Sequence, residues 1–229
     1  SYDIFIDDVT IISSGEELKS GQSIAIKGKK IAAVGPREKL IEMTASYKID
    51  GGGGLCLPGF INTHNHTPLM SVRGMVEDLG FAPAYVPSIP QGHWLGDEET
   101  LALARLGLAE LLMQGCTTVV DFYARPEPLA NAMHEVGLRG FVGGRIMDVD
   151  TAKLATGQFA FNAKFGEKTL ADNIALIENW SSASNNRVSC VLGPHAVDTC
   201  SPSMLQKVAE ISEKNNLMVH THLAQSKLE

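Results

Sequence analysis

At 229 residues the chain can bury a sizeable core, in one large domain or two modest ones. Its 26 acidic side chains outnumber 19 basic ones, and the formal charge of -7 leaves no basic footprint for nucleic acid or an anionic membrane surface. A small neutral or cationic molecule is the easier partner to accept. Aliphatic residues are plentiful, aromatics few, and 22 glycines suit an α/β protein with many short connections.

Residues 2–35 alternate apolar and polar positions in short runs (3–7, 9–12, 23–27 and 30–34), with Gly28 between the last two as a hairpin signal. The expectation is a small β-sandwich domain over residues 1–57. A short helix is expected within 36–47 and a strand at 48–50, followed by Gly51-Gly52-Gly53-Gly54. No Lys-Ser/Thr follows these glycines and no helix opens behind them, so a phosphate-cradling loop is disfavoured and a flexible domain boundary expected.

From residue 58 onward strands alternate with helices, which argues for βα units and a parallel sheet. Strands are expected at 59–64, 117–123, 140–147, 188–193 and 217–222. Helices are expected from an Asp97 cap to Gly115, at 127–136, at 169–180, and at 203–214 behind Ser201-Pro202. The irregular stretch 67–96, with His93 and Trp94, is long enough to be a lid. The apolar run 101–120 is interrupted by Arg105, Glu110 and Gln114, and so fits a buried helix leading into a strand better than a membrane span. Cys56, Cys116, Cys190 and Cys200 form no C-x-x-C pair, and with no recognisable leader before them they are expected to be free thiols in a cytoplasmic protein.

The chemistry concentrates at strand ends. In a strand, alternate side chains share a face, so His64 and His66 project together as two ligands of one ion must. A second pair of the same form, His220-Thr221-His222, closes another apolar run. Asp121 falls late in the second strand of this series and His195 just after the fourth. Polar residues at the carboxyl ends of successive strands fit a (β/α)8 barrel, whereas a doubly wound sheet gathers its ligands at one switch point. His220 faces the same way as His222 one layer deeper, where supporting the site or packing in the core stands beside direct ligation as an expectation. His134 reads as a surface residue in mid-helix.

The segment Leu57-Pro58-Gly59-Phe60-Ile61-Asn62-Thr63-His64-Asn65-His66 resembles the first-strand signature of the amidohydrolase superfamily, and His220-Thr221-His222-Leu223-Ala224-Gln225 resembles its fifth-strand signature. Gly193-Pro194-His195-Ala196 and Thr199-Cys200-Ser201-Pro202 extend the likeness, which is greatest to the branch of nucleoside, cytosine and guanine deaminases and triazine hydrolases. The resemblance implies a (β/α)8 TIM barrel over residues 58–229, ending here after strand five. It implies His64, His66 and His222 as ligands of one divalent metal, zinc in the simplest case, and His195 as a substrate contact. No lysine occurs in 188–192 to bridge a second ion.

The implied reaction is hydrolysis of a C–N bond in a small heterocycle by hydroxide generated at the metal. Gln225 stands where deaminating members usually carry a glutamate, and an amide hydrogen-bonds but does not titrate. Asp198, in place of a tyrosine common there, is a candidate contact for a basic substrate group, with a solvent-facing position as the alternative; Trp94 is a candidate cover for a flat ring. A histidine after strand six and an aspartate after strand eight, both implied by the family, fall beyond this sequence. Dehalogenation, cyclic-amide opening and a non-catalytic binding role therefore stay open. A barrel edge left exposed would tend to associate, so a homo-oligomer stays open as well.

Overall fold

A computed structural model describes residues 1–12, 18–75, 94–154, 157–181 and 187–225. The chain divides into two units, Ser1–Gly59 and Phe60–Glu229.

In the first unit β1 (Tyr2–Ile11), β2 (Lys19–Lys27), β3 (Lys30–Pro36), β4 (Ala45–Asp50) and β5 (Leu55–Cys56) form one sheet in the order β3-β2-β1-β4, with β5 also beside β1. A four-residue helix, α1 (Arg37–Leu40), links β3 to β4. The two runs expected at 3–7 and 9–12 are one strand, bent by a bulge. Asp8 adopts φ 53, and the pairing with β2 shifts register between Ile6 and Val9. Phe5, Val9, Ile24 and Ala25 are buried, while Ile31, Val34, Tyr47 and Leu55 are exposed. The described strands of this unit make a single sheet; a sandwich requires a second.

The four glycines are not a loose boundary. Gly51 and Gly53 donate to the carbonyls of Asp7 and Asp8, and Thr10 donates to Gly54, so the run is tied along β1 and turns the chain from β4 into β5. Gly52 and Gly53 take the left-handed backbone, φ 55 and 73, which glycine enters without steric cost.

The second unit holds four parallel strands in sequence order: β6 (Phe60–Asn65), β7 (Cys116–Tyr123), β8 (Arg139–Ile146) and β9 (Val188–Pro194). A 3-10 helix (Thr67–Val72) follows β6, and α2 (Asp97–Met113) delivers β7. Gly96, not Asp97, is the N-cap of α2; Asp97 is the first helical residue, one of three acidic groups that suit the positive end of the helix. Next come α3 (Pro126–Val136), α4 (Thr151–Leu154), α5 (Ala163–Ser181) and α6 (Pro202–Asn215). The expected fifth strand lies alongside β9. Leu192 donates to the carbonyl of Met218 and accepts from the amide of His220, and parallel bridges join Leu192 to Val219 and Ala196 to His222.

Helices and sheet meet in two apolar clusters. Leu108, Val119, Leu129, Met133, Val142 and Leu176 form one; Ile146, Leu170, Leu192, Met204 and Val208 form the other. Glycine lets β8 and β9 approach: a Cβ at Gly193 would stand 2.5 Å from the Gly144 carbonyl oxygen. Asn173 of α5 then locks β9 from outside, donating to the Val191 carbonyl (3.0 Å) and accepting from the Gly193 amide (2.9 Å). No helix among the described residues is long and apolar enough to cross a membrane.

Candidate metal centre

Strand alternation sends Asp121 and Tyr123 to one side of β7 and Phe122 to the other. The buried Phe122 ring lies beneath a cluster of histidines, its centroid 4.7 Å from that of His66, 5.1 Å from His222, 5.2 Å from His220 and 5.8 Å from His64. Two of these rings come from the end of β6 and two from the segment beside β9. Parallel strands thus bring together side chains about 156 residues apart in sequence.

Each candidate ligand nitrogen is identified by what the other ring nitrogen does. His66 Nδ1 lies 2.9 Å from the Phe122 carbonyl oxygen and His222 Nδ1 lies 2.6 Å from that of His195. A carbonyl only accepts, so both rings carry their proton on Nδ1 and, when neutral, a lone pair on Nε2. Those two Nε2 atoms are 3.0 Å apart, and His64 Nε2 is 3.1 Å from His222 Nε2. His64 Nδ1 meets His220 Nε2 at 2.9 Å.

Burial keeps these rings neutral. It lowers the pKa of His64, His220 and His222, and lowers that of His66 to about 3, helped by the neighbouring histidines and Arg145 and opposed by the bond to Phe122. Neutral imidazoles with lone pairs aimed at one another repel unless a cation lies between them. His64, His66 and His222 together offer three ligand atoms within 4.8 Å of one another. A tetrahedral zinc site with Zn–N of about 2.0–2.1 Å has ligand nitrogens about 3.3 Å apart, close to the two shortest separations here. The donor set fits a divalent ion with nitrogen ligands and an open position.

Around this centre, His195 is buried, its ring centroid 4.9 Å from that of His222. Its Nδ1 lies 2.9 Å from the Thr199 hydroxyl, which itself donates to the Ala196 carbonyl and so accepts from His195. Asp198 is buried rather than solvent-facing, and Gln225 is half-buried three residues beyond His222. Trp94 is exposed at the approach to α2, while His93 and most of the proposed lid lie outside the described residues. His134 is exposed on α3, its ring 6.0 Å from that of Trp180. The four cysteines are free, and burial lifts Cys190 to about 12 and Cys200 to about 11, which leaves both as thiols.

Three features of the site carried no clear sequence signal. The Phe122 and His195 carbonyls act through the main chain, which every residue has. Arg145, whose guanidinium lies 5.4 Å from the Tyr123 ring centroid, could have been noticed as a charge near the end of an apolar strand.

Parallel βα units bring histidine nitrogens together at the carboxyl ends of the strands, where they form a candidate metal centre. The chain belongs to the amidohydrolase family, which it matches over residues 55–229. It is 29% identical to a 5-methylthioadenosine/S-adenosylhomocysteine deaminase of Carboxydothermus hydrogenoformans, over 97% of this chain and 49% of that protein. Among solved structures it is similar to an adenosine deaminase from Xanthomonas campestris with bound zinc (TM-score 0.79, 21% identity, 96% of this chain and 49% of that one). It is also similar to the zinc complex of atrazine chlorohydrolase from Arthrobacter aurescens (TM-score 0.76, 24% identity, 96% and 52%). At these identities the structural likeness is one of fold. The chain spans about half the length of the curated relatives it matches.

Proposed function

We propose that this chain forms the metal-binding part of a hydrolase that deaminates a small heterocycle such as a nucleobase, nucleoside or triazine. The observation that carries the reading is the convergence of the His64, His66 and His222 Nε2 atoms. A divalent ion held there, zinc in the simplest case, supplies Lewis acidity and lowers the pKa of water toward neutrality. The names of the deaminase relatives and the zinc in two similar structures support the reaction class and the metal.

In this reading His64, His66 and His222 hold the ion. His195, with Nδ1 committed to Thr199, turns Nε2 to the substrate as an acceptor. Asp198 and Trp94 belong to substrate binding, and Gln225 orients the reacting group by hydrogen bonding without taking a proton. In the complete protein the second unit belongs to a (β/α)8 barrel, and the first is a separate small β domain whose sheet is one layer of a sandwich. Exposed Phe60 and Ile61 on β6, and Met218 and Val219 beyond β9, support further strands at both edges of this sheet. The family resemblance adds a histidine after a sixth strand and an aspartate after an eighth. Free cysteines and net negative charge support a cytoplasmic enzyme acting on a small molecule.

Gln225 favours a second reading, in which a different leaving group such as halide is displaced or a cyclic amide is opened, because no proton is then needed from position 225. Ammonia release by the full-length protein from a panel of aminated heterocycles tests the two. Release from any member at enzymatic rates supports deamination; chloride release or ring opening without ammonia supports the second reading. Saturable binding with no product from any compound would contradict both and indicate a non-catalytic relative.

A further inference from the structure

The buried carboxylate of Asp121 has no part in the reaction as described, yet it sits directly behind the first pair of histidines. It is fully buried on β7 and accepts from the Thr67 amide (3.1 Å), from the Thr67 hydroxyl in a short bond, and from Asn65 Nδ2 at 3.4 Å. Asn65 Nδ2 also donates to the Thr67 hydroxyl at 2.7 Å. Asn65 and Thr67 flank His66, and Phe122, which follows Asp121, supplies the carbonyl that fixes the His66 tautomer. Two consecutive residues of β7 thus hold His66, one through its backbone neighbours and the other through its ring.

We propose that Asp121 is a positioning residue for the metal centre, holding the Asn65–Thr67 turn so that His66 Nε2 meets those of His64 and His222. This rests on the metal-binding reading above. A carboxylate is suited to the task because it only accepts when ionised, and the turn presents donors alone: a backbone amide, a hydroxyl and a side-chain amide. These hydrogen bonds offset the cost of burying a charge in the helix-facing layer. The Thr67 methyl has a separate role, since it packs against α2 where Gly107 leaves room for it.

The two roles of Thr67 allow a clean test. Thr67→Val keeps the branched shape and removes the hydroxyl, whereas Thr67→Ser keeps the hydroxyl and removes the methyl. Zinc affinity is measured by competition with a chromophoric chelator for the wild-type protein, Asp121→Asn, Thr67→Val and Thr67→Ser, alongside the visible spectrum of the cobalt-loaded forms and the melting of the metal-free forms. We expect Asp121→Asn and Thr67→Val to weaken zinc binding by about 10- to 100-fold and to alter the cobalt spectrum, with Thr67→Ser close to wild type. Thr67→Val decides alone if Asp121→Asn does not fold. Wild-type affinity and an unchanged cobalt spectrum in Thr67→Val would overturn the inference, as would an equal loss in Thr67→Ser. A wild-type protein that binds neither zinc nor cobalt would overturn the metal-binding reading itself and this inference with it.

Discussion

His66 Nε2 and His222 Nε2 lie 3.0 Å apart, although neither ring has a proton to place between them while its Nδ1–H is given to a carbonyl. Two lone pairs at that distance fit a cation between them and not a hydrogen bond. In the zinc-loaded protein, long-range 1H–15N spectra are expected to show both rings neutral and protonated at Nδ1. Protonation at Nε2 in either ring would contradict the site as described.

The same rings set a pH dependence. The folded-state pKa of His66 is about 3, below the ordinary 6.5, so the unfolded chain binds the extra proton between those values. His64, His220 and His222 are lowered in the same direction. Their contribution is therefore fully present above pH 6.5 and lost as pH falls below it, for His66 down to about 3 at up to about 1.4 kcal/mol per pH unit. Asp121 acts oppositely. Burial raises its pKa from 3.8 to about 6, and its contribution is present below 3.8 and lost as pH rises through 6. With four histidines against one aspartate, metal-free protein is expected to melt at lower temperature as pH falls from 6.5 to 5, and His66→Asn to flatten that slope. Thermal scans across this range check both.

The Asp148 carboxylate is one of the ties that hold the loop between His195 and α6. Asp148 is buried and accepts from the Ser201 amide (2.7 Å) and hydroxyl (2.5 Å), while the Ser201 oxygen caps α6 by accepting from the Met204 amide. Asp148→Ala strands these donors and is expected to cost about 1–3 kcal/mol in urea unfolding.

Close packing of β8 on β9 predicts a second loss of stability. Gly193→Ala would press a methyl against the Gly144 carbonyl and the Phe122 ring, neither of which moves without disturbing the sheet. A cost of about 1–3 kcal/mol is expected, again from urea unfolding. Because Phe122 underlies the histidines, the variant is also expected to bind zinc more weakly.

Much of this architecture was legible in the sequence because βα alternation is written in side-chain periodicity and the histidines stand at strand ends. That His64 and His66 share a face followed from the two-residue repeat of a strand. What escaped depends on backbone geometry. The positive φ of Asp8 made one bulged strand look like two, and the glycine run looked loose because its ties to β1 are main-chain bonds. The 3-10 helix after β6 was hidden in a stretch expected to be irregular, and with it the clamp between Thr67 and Asp121. The acceptors that orient His66 and His222 are carbonyls, which no residue type announces.

The most direct test of the central claim is the zinc-to-protein ratio after loading and dialysis, measured for the wild-type chain and for His66→Ala. The site described here predicts about one ion per chain in the wild type and loss of that ion in the variant. A wild-type chain without bound metal, or a variant that keeps the same ratio, would contradict it.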